Sequence, residues 1–309
     1  MNPEEIRKKL KKGSFSENEP MNLHTTFRAG GPARYYAVPC NEEELFYLLA
    51  VSREEGIPFY IIGNGSNLLV SDRGFQGLVI DLGKNDGTAF SELSCKEDGE
   101  TGIITAGAGC LMSAIGHFAL ENSLTGFEPL SGIPGCAGGA AIMNAGAYGG
   151  EVKDVIESVR VILPDGNLRE FGKEELSFRY RGSSLSDAGA IVTRVTFRLA
   201  KGNQTQIKAD MGEYTRRRKE KQPLELPSAG STFKRPEGYF AGKLIEDAGL
   251  KGKRIGGASV SEKHAGFVVN DQGGTASDIY RLIQFIEETV YAKSGVRLEP
   301  EVKMIGDFS

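Results

Sequence analysis

The segment from Pro129 to Gly150 contains seven glycines and almost no charge, so any chemistry that it supports must come from its backbone. Glycine permits positive φ angles and lets a ligand lie against the main chain, where bare N–H groups can donate hydrogen bonds to a phosphate or to the edge of a flavin ring. We therefore predict that this segment forms one wall of a large cofactor site. Its composition alone also fits a set of crowded turns between strands.

A second glycine loop, Gly63-Asn-Gly-Ser-Asn67, lies between the apolar runs Phe59–Ile62 and Leu68–Val70, which are typical of short strands. Because this loop connects a strand to a strand, it does not open the helix that a Rossmann fingerprint or a Walker loop uses to bind phosphates. The loop matches neither pattern. If the chain binds a dinucleotide, loop amides must hold it.

Charged and hydroxyl side chains that could do acid–base chemistry occur in three other places. Phe178–Arg181 alternates like a strand, so its two arginines could simply form a solvated face. Glu299 and Glu301 share a face with Lys303 in a predicted final strand, where an exposed row of ion pairs is the default explanation. Ser231 lies in an Ala-Gly-Ser-Thr sequence that also fits a turn or a helix cap. Taken alone, none of these patterns identifies a catalytic group.

Composition narrows the class of protein. The 309 residues are 39% hydrophobic and 25% charged, which is ordinary for a globular protein with two or three domains. A net charge of −4 disfavours nucleic acid as the main partner. The charged N-terminus is not a secretory signal and no stretch is apolar enough to cross a membrane, so we expect a cytoplasmic protein without a membrane partner.

The four cysteines are scattered along the chain, with no Cys-x-x-Cys pair: they are Cys40, Cys95, Cys110 and Cys136. This spacing supports neither a disulfide framework nor a zinc site. We expect buried thiols and no bound metal.

The predicted elements are mostly short strands up to about residue 200 and mostly helices after it. Asn41 is a plausible N-cap for a helix that ends at Gly56, and a second helix is predicted over 113–122. Past Lys201 the predicted elements are helices over 209–221, 240–248 and 277–293, the last capped by Ser277 and ended by Gly295, and a strand over 296–305. We place a domain boundary near residue 200.

Seven motifs together resemble the UDP-N-acetylenolpyruvoylglucosamine reductase family of peptidoglycan synthesis. They follow the family's order from about residue 22 to the C-terminus, and this order makes the match specific. The motifs are Thr25–Gly31, Gly63–Leu68, Gly126–Gly135, Asn144–Tyr148, Phe178–Arg181, Ala229–Lys234 and Leu298–Val302. The chain lacks the insertion that one subgroup carries after the position of Tyr180, so it is similar to the shorter, second type.

The resemblance implies an α+β fold with a flavin cofactor. An FAD-binding fold of the vanillyl-alcohol oxidase (PCMH) type would occupy two lobes, 1–83 and 84–200, and an α+β substrate-binding domain would occupy 201–309, with its C-terminal strand returning toward the flavin site. FAD would be bound non-covalently, its pyrophosphate on one loop and its isoalloxazine on the other. The residues expected at FAD are Gly63, Asn64, Gly65, Ser66, Asn67, Leu68, Ile133, Pro134, Gly135 and Gly139.

The resemblance also implies a reaction and three catalytic residues. In this family NADPH reduces FAD, and hydride then passes to the enolpyruvyl carbon β to a carboxylate, which leaves negative charge on the α carbon and its carboxylate. The motifs assign Arg181 as the cation that stabilises this enolate, because a guanidinium fork suits a carboxylate. They assign Ser231 as the proton donor to the α carbon, and Glu301 as the carboxyl group that steers the enolate.

For the nucleotide-sugar substrate, the resemblance assigns Tyr180, although this tyrosine could also be a core residue. The basic cluster over 216–221 would bind the diphosphate without a metal, and Arg218 and Lys221 match the family pattern best. A solvated basic face explains the same cluster equally well. We expect a monomer. Two alternatives stay open: another FAD oxidoreductase of the same fold, and a non-catalytic module that binds nucleotide sugars.

Overall fold

The computed structural model of this chain describes residues 1–83 and 87–309, which fold into short strands and mostly short helices. The helices are α1 (Pro3–Lys9), α2 (Glu42–Glu54), α3 (Met112–Glu121), α4 (Ala137–Ile142), α5 (Val152–Val155), α6 (Ser184–Asp187), α7 (Gln204–Lys221), α8 (Ala241–Asp247) and α9 (Ala276–Ser294). The strands are β1 (Ser14–Pro20), β2 (Pro32–Val38), β3 (Phe59–Ile62), β4 (Leu68–Val70), β5 (Phe75–Asp81), β6 (Leu93–Asp98), β7 (Thr101–Gly107), β8 (Leu124–Thr125), β9 (Gly146–Ala147), β10 (Gly150–Glu151), β11 (Ile156–Ile162), β12 (Leu168–Gly172), β13 (Ile191–Lys201), β14 (Arg254–Ile255), β15 (Ala258–Val260), β16 (Val268–Asn270) and β17 (Lys303–Ile305).

The described residues form two compact units that alternate along the chain. The first unit consists of Met1–Ser16, Tyr36–Asn64 and Val79–Arg217, and the second of Glu17–Tyr35, Gly65–Leu78 and Arg218–Ser309. Each unit is therefore assembled from three separate stretches of sequence. The three-domain division at residues 83 and 200 stays a prediction.

The main sheet of the first unit is antiparallel and has the strand order β12-β11-β13-β7-β6, with β8 paired to the end of β13. Alternate side chains of its central strands point into the core, and Ile104, Val195 and Phe197 are fully buried. Phe127 packs edge-on against Phe197, with ring centroids 5.2 Å apart. This core supports the glycine-rich segment that runs from α4 to β10.

Helix α2 begins where the sequence predicts. The Asn41 side-chain oxygen accepts a hydrogen bond from the Glu44 backbone N–H at 2.9 Å, so this N-cap is confirmed. The strands predicted on either side of the Gly63 loop are β3 and β4, and β3 lies at one edge of a four-stranded sheet with the order β1-β2-β5-β3.

In the second unit, a three-stranded antiparallel sheet (β14-β15-β16) and helices α8 and α9 share one hydrophobic core. The predicted apolar stripe of α9 is confirmed, since all its members are buried: Ile279, Leu282, Ile283, Ile286 and Val290. Gly295 ends this helix with φ of 72°, also as predicted.

The prediction that Ser277 caps α9 is wrong. Thr275 is the N-cap: its side chain accepts from the Asp278 N–H, and the Asp278 carboxylate accepts from the Thr275 N–H, both at 3.1 Å. Ser277 lies inside the first turn, where its N–H and hydroxyl both donate to Asp72. Thr275 and Ser277 have similar preferences for the N-cap position. Asp72, which is distant in sequence, accepts hydrogen bonds from Ser277, and Thr275 is the cap.

Two other predictions need correction. Only Lys303–Ile305 of the predicted strand 296–305 forms β17. Pro300 has no N–H to donate to a strand ladder, and it forms only an isolated bridge to Phe233. Three cysteines are buried as expected, but Cys95 is only half-buried, since it lies on the edge strand β6.

Among the described helices, none has the length and apolar character needed to cross a membrane. Within residues 1–83 and 87–309, no three His, Cys, Asp or Glu side chains come together in a group that could hold a metal ion.

Candidate active site

In the first unit, the start of the Gly63 loop lies against the glycine-rich segment. The Asn64 side chain donates to the Pro134 carbonyl oxygen at 2.7 Å, across 70 residues of sequence. A Cβ added to Gly63 would lie 3.0 Å from the Cys136 sulfur, which leaves little room for any other residue. Two of the segments predicted to bind FAD are therefore neighbours in the fold.

The segment from Pro129 to Gly150 forms turns, α4 and two short strands, so the prediction that it is neither one helix nor one strand is confirmed. Gly138 faces inward, and a Cβ there would lie 3.0 Å from the Ala108 side chain. Gly139 is exposed, and a Cβ there would meet no other described atom within 4 Å. The open main chain at Gly139 is accessible to a flat ligand.

The remaining residues at this wall are partly accessible. Ile133 and Gly135 are half-buried and Pro134 is exposed. The Gly135 carbonyl accepts from the Met112 N–H at 3.0 Å, which anchors the segment to the start of α3. The wall therefore presents backbone and small side chains on a fixed base.

In the second unit, the Gly63 loop continues through Gly65–Leu68. Gly65 has φ of 60°, and a Cβ there would lie only 2.0 Å from the His24 carbonyl oxygen, so glycine is required. The Thr26 N–H donates to the Gly65 carbonyl at 3.2 Å. Ser66 and Asn67 are half-buried. The close approach of His24 and the bond from Thr26 thus constrain the backbone of this loop at Gly65.

The second unit brings Ser231 close to Glu301. The Glu301 N–H donates to the carbonyl of Thr232 at 2.8 Å, and the Lys234 N–H donates to the carbonyl of Glu299 at 2.8 Å. The two candidate catalytic residues therefore lie on paired, adjacent segments. Ser231 is exposed and Glu301 is half-buried.

Asn67 joins the Gly65–Leu68 loop to the Glu301 segment. Its side chain donates to the Glu301 carbonyl oxygen at 3.1 Å, and its own carbonyl accepts from the Lys303 N–H at 3.0 Å. The C-terminal strand β17 thus lies beside β4 in the second unit, and its return toward a flavin site stays a prediction. Sequence reasoning assigned Asn67 to FAD through its loop, and its side chain has this additional structural role.

The row of ion pairs considered along the final strand stays an open alternative. Glu299 pairs with Lys234 on the neighbouring segment. Thr232, which is fully buried, holds that segment in place: its N–H donates to Gly266 and its hydroxyl accepts from the Val268 N–H, both at 2.9 Å. Ser231 therefore lies between Gly230, which has φ of 74°, and the hydrogen-bonded Thr232.

Arg181 lies in a tight turn of the first unit, so the interpretation of Phe178–Arg181 as an alternating strand is wrong. Arg179 and Gly182 exchange backbone hydrogen bonds of 3.0 and 3.2 Å, and Arg181 has φ of 53°. The Arg181 guanidinium lies 5.0 Å from the ring centre of Tyr180, which is 49% exposed and not a core residue. The Arg179 side chain pairs with Asp187 at 2.5 Å, so the two arginines have different partners.

Asn144 is a residue of this site that sequence reasoning did not single out, although it lies in one of the seven motifs. It is 1% exposed, and its side-chain amide donates to the Arg179 carbonyl at 3.3 Å and to a Glu151 carboxylate oxygen at 3.1 Å. Hydrogen bonds from Lys153 and Asn144, with the charge of Arg181, lower the pKa of Glu151 against the opposing effect of burial. The burial of Asn144 and its hydrogen bonds indicate a structural role, and only the structure shows them.

The basic cluster of α7 is divided between two kinds of environment. Arg216 and Arg217 both bind Glu213, at 2.8 and 2.6 Å, and their hydrogen bonds lower its pKa to about 2. Arg218 is half-buried and Lys221 exposed, at the C-terminal end of the helix. A helix C-terminus repels anions, so a diphosphate there would depend on side chains alone.

Comparison with known proteins defines the class first. The profile of an FAD-binding domain matches residues 33–172, which places the chain in the class of proteins with the predicted type of FAD-binding fold. The profile of the UDP-N-acetylenolpyruvoylglucosamine reductase C-terminal domain matches residues 222–305.

Full-length relatives then define the family. The chain is 49% identical over 304 residues to UDP-N-acetylenolpyruvoylglucosamine reductase of Caldanaerobacter subterraneus subsp. tengcongensis, and 50% identical over 311 residues to that of Agathobacter rectalis, covering 98% of every chain. The crystal structure of the Thermus caldophilus enzyme matches with a TM-score of 0.77 at 35% identity, over 96% of this chain and 99% of that one. The chain belongs to the UDP-N-acetylenolpyruvoylglucosamine reductase family, and the resemblance seen in the seven motifs is confirmed.

Proposed function

We propose that this protein reduces the enolpyruvyl group of UDP-N-acetylglucosamine enolpyruvate to the lactyl ether of UDP-N-acetylmuramate, with NADPH as electron donor. The observation that supports this most is the pairing of the Ser231 segment with the Glu301 segment, itself joined through Asn67 to a cofactor loop. A hydroxyl group, a carboxyl group and a dinucleotide loop are the parts that such a reduction needs. The identity of the substrate is inferred from family membership.

When bound, FAD supplies a two-electron carrier between NADPH and the enolpyruvyl double bond. The amides of Gly63–Leu68 would hold its pyrophosphate, and the main chain of Ile133–Gly139 would lie along its ring. Both segments are rich in backbone donors and, around Gly139, open to a ligand. Binding is non-covalent in this proposal.

Arg181 would bind the substrate carboxylate and stabilise the negative charge that spreads onto it during reduction. An always-charged guanidinium donates two parallel hydrogen bonds to a carboxylate, and losing one such donor costs roughly 3 to 4 kcal/mol in transition-state stabilisation. Tyr180, whose ring lies against this guanidinium, would present its hydroxyl to the same substrate.

Ser231 would deliver a proton to the α carbon. Serine is a weak acid, but the acceptor is a carbon with carbanion character, which is basic enough to take that proton. Glu301 would orient the enolate from the adjacent segment. Arg218 and Lys221 would bind the diphosphate of the nucleotide, and the enzyme would act as a monomer.

The test separates the two halves of the reaction. Ser231→Ala should leave anaerobic bleaching of the bound flavin by NADPH nearly unchanged, while it slows reoxidation by the enolpyruvyl substrate by roughly 10²- to 10⁴-fold. Stopped-flow absorbance of the flavin measures both rates. Ser14→Ala, at an exposed strand residue, is the control and should change neither.

Equal losses in both half-reactions would mean that Ser231 is a structural residue. A yellow protein that air reoxidises but the enolpyruvyl compound does not would be a different flavin oxidoreductase. A colourless protein that still binds the nucleotide sugar would be a binding module.

A further inference from the structure

We propose that Asn144 is a positioning residue for Arg181, and this inference rests on the role proposed above for Arg181. Asn144 itself is buried and does not need to touch the substrate. It would act by fixing the turn from which the guanidinium projects.

Every polar group of the Asn144 side chain has a partner in the surrounding backbone or in Glu151. The amide nitrogen donates to the Arg179 carbonyl at 3.3 Å and to Glu151 at 3.1 Å, and the amide oxygen accepts from the Lys153 N–H at 3.0 Å. Asn144 follows α4, so it connects the glycine-rich wall to the arginine turn. Leaving such buried groups unpaired is costly, which makes the arrangement specific.

The arginine turn is short and its conformation is unfavourable for the residue it carries. Arg181 has φ of 53°, in the left-handed region that residues other than glycine rarely adopt. Backbone bonds between Arg179 and Gly182 close the turn at its base. Because Asn144 holds the carbonyl at that base, any shift of Asn144 moves the whole turn and displaces the Arg181 guanidinium.

Asn144 also controls which charge faces Arg181. Glu151 interacts electrostatically with Arg181, and it is bound at present by the Lys153 ammonium and by Asn144. Without the Asn144 amide, Glu151 would lose one of its hydrogen-bond donors and its carboxylate would turn toward the Arg181 guanidinium. Arg181 would then be partly neutralised before the substrate carboxylate arrives.

The experiment replaces Asn144 by glycine, because Asn144 has φ of 45° and glycine keeps that backbone conformation while deleting the amide. Asn144→Gly should slow flavin reoxidation by the enolpyruvyl substrate by up to roughly 10²-fold, with NADPH bleaching nearly unchanged. Calorimetry should show weaker binding of UDP-N-acetylmuramate to the oxidised enzyme. The matched control is Ser123→Gly, also at positive φ just after a helix, which should alter neither quantity.

A double-mutant cycle with Arg181→Ala decides whether Asn144 acts through Arg181. If it does, adding Asn144→Gly to Arg181→Ala should slow reoxidation by less than about twofold. Equal slowing in both backgrounds would overturn the positioning role. If Arg181→Ala alone has no effect, then the role proposed for Arg181 fails first.

Asn144→Asp provides a second variant in case the glycine variant does not fold. It keeps the acceptor for the Lys153 N–H and removes the donor to Arg179 and Glu151. We expect the same selective loss in the second half-reaction. Wild-type reoxidation rates and product affinity in a folded Asn144→Asp protein would contradict the proposal.

Discussion

Burial makes Cys136 and Cys110 poor nucleophiles. Desolvation raises the pKa of Cys136 to about 12 and that of Cys110 to about 11, despite hydrogen bonds from neighbouring backbone groups. At pH 8 the thiolate, the form that reacts, is therefore scarce at both residues. Cys95 is half-buried at a sheet edge, where reagents reach it more easily.

We expect iodoacetamide at pH 8 to label Cys95 first and to leave Cys136 unlabelled in the folded protein. Peptide mass spectrometry over a time course measures each site. Labelling in denaturant is the control, in which all four cysteines should react. Cys136 labelling as fast as Cys95 would show that this thiol is not held in the buried state described here.

At the residue scale, sequence reasoning succeeds where a local pattern and a local structure coincide. Asn41 caps α2 because both partners of the capping bond lie within one turn of each other. Arg181 could be selected only by resemblance to a family, because a strand-like alternation and a tight turn can share the same four letters. Asn144 was missed because its partners are 7 to 35 residues away.

At the element scale, the N-terminus of α9 depends on Asp72. The carboxylate accepts from the N–H groups of Ala276 and Ser277, both at 2.8 Å, and from the Ser277 hydroxyl at 2.5 Å. Burial opposes ionisation, but hydrogen bonds led by those from Ser277 outweigh it and lower the pKa of Asp72. A negative charge at this end also complements the helix dipole.

Asp72→Ala should reduce the free energy of unfolding by about 1 to 2 kcal/mol, because it removes a charged cap from α9. The midpoint of thermal unfolding, followed by circular dichroism, measures this loss. Asp247→Ala is the control: it removes an exposed ion pair with Lys243 and should cost under about 1 kcal/mol.

The pH dependence of this loss has a definite sign. A carboxyl group with a lowered pKa in the folded state adds stability above its unfolded value, near 4, and that contribution disappears as the pH falls further. The difference between wild type and Asp72→Ala should therefore shrink below about pH 4. A difference that stays constant from pH 7 to pH 3 would show that the charge of Asp72 contributes nothing.

Other elements show where periodicity is a sufficient guide. The stripe of α9 repeats at helical spacing over its full length, so the helix and its buried face were predictable. The segment 296–305 also looked regular, yet only its end, Lys303–Ile305, has a strand as its partner, while Glu299 and Glu301 make backbone hydrogen bonds to Lys234 and Thr232 without forming a strand. That partner is β4, and residues 303 and 68 are opposite each other in the register.

At the scale of the whole molecule, the division into units was not predictable from the sequence. The chain leaves one unit and enters the other at residues 16, 35, 64, 78 and 217. Changes in amino-acid composition along the chain predict a single boundary near residue 200. Composition reflects local preferences for helix or strand, and it does not show which distant segments share a hydrophobic core. Family membership, in contrast, was predictable, since seven ordered motifs are a property of the sequence itself.

Binding of FAD should stabilise the folded protein by mass action, and two glycines can test whether the Gly63–Leu68 loop carries that effect. Free FAD at 100 times its dissociation constant adds about 2.7 kcal/mol to the free energy of unfolding. Gly65 and Gly56 have φ of 60° and 62°, so an alanine at either position has a similar backbone cost, but only at Gly65 does the new Cβ meet the His24 carbonyl, at 2.0 Å. Thermal unfolding with and without FAD should show the same upward shift in Gly56→Ala as in wild type and little or no shift in Gly65→Ala. An equal shift in both variants would mean that FAD is held without the shape of this loop.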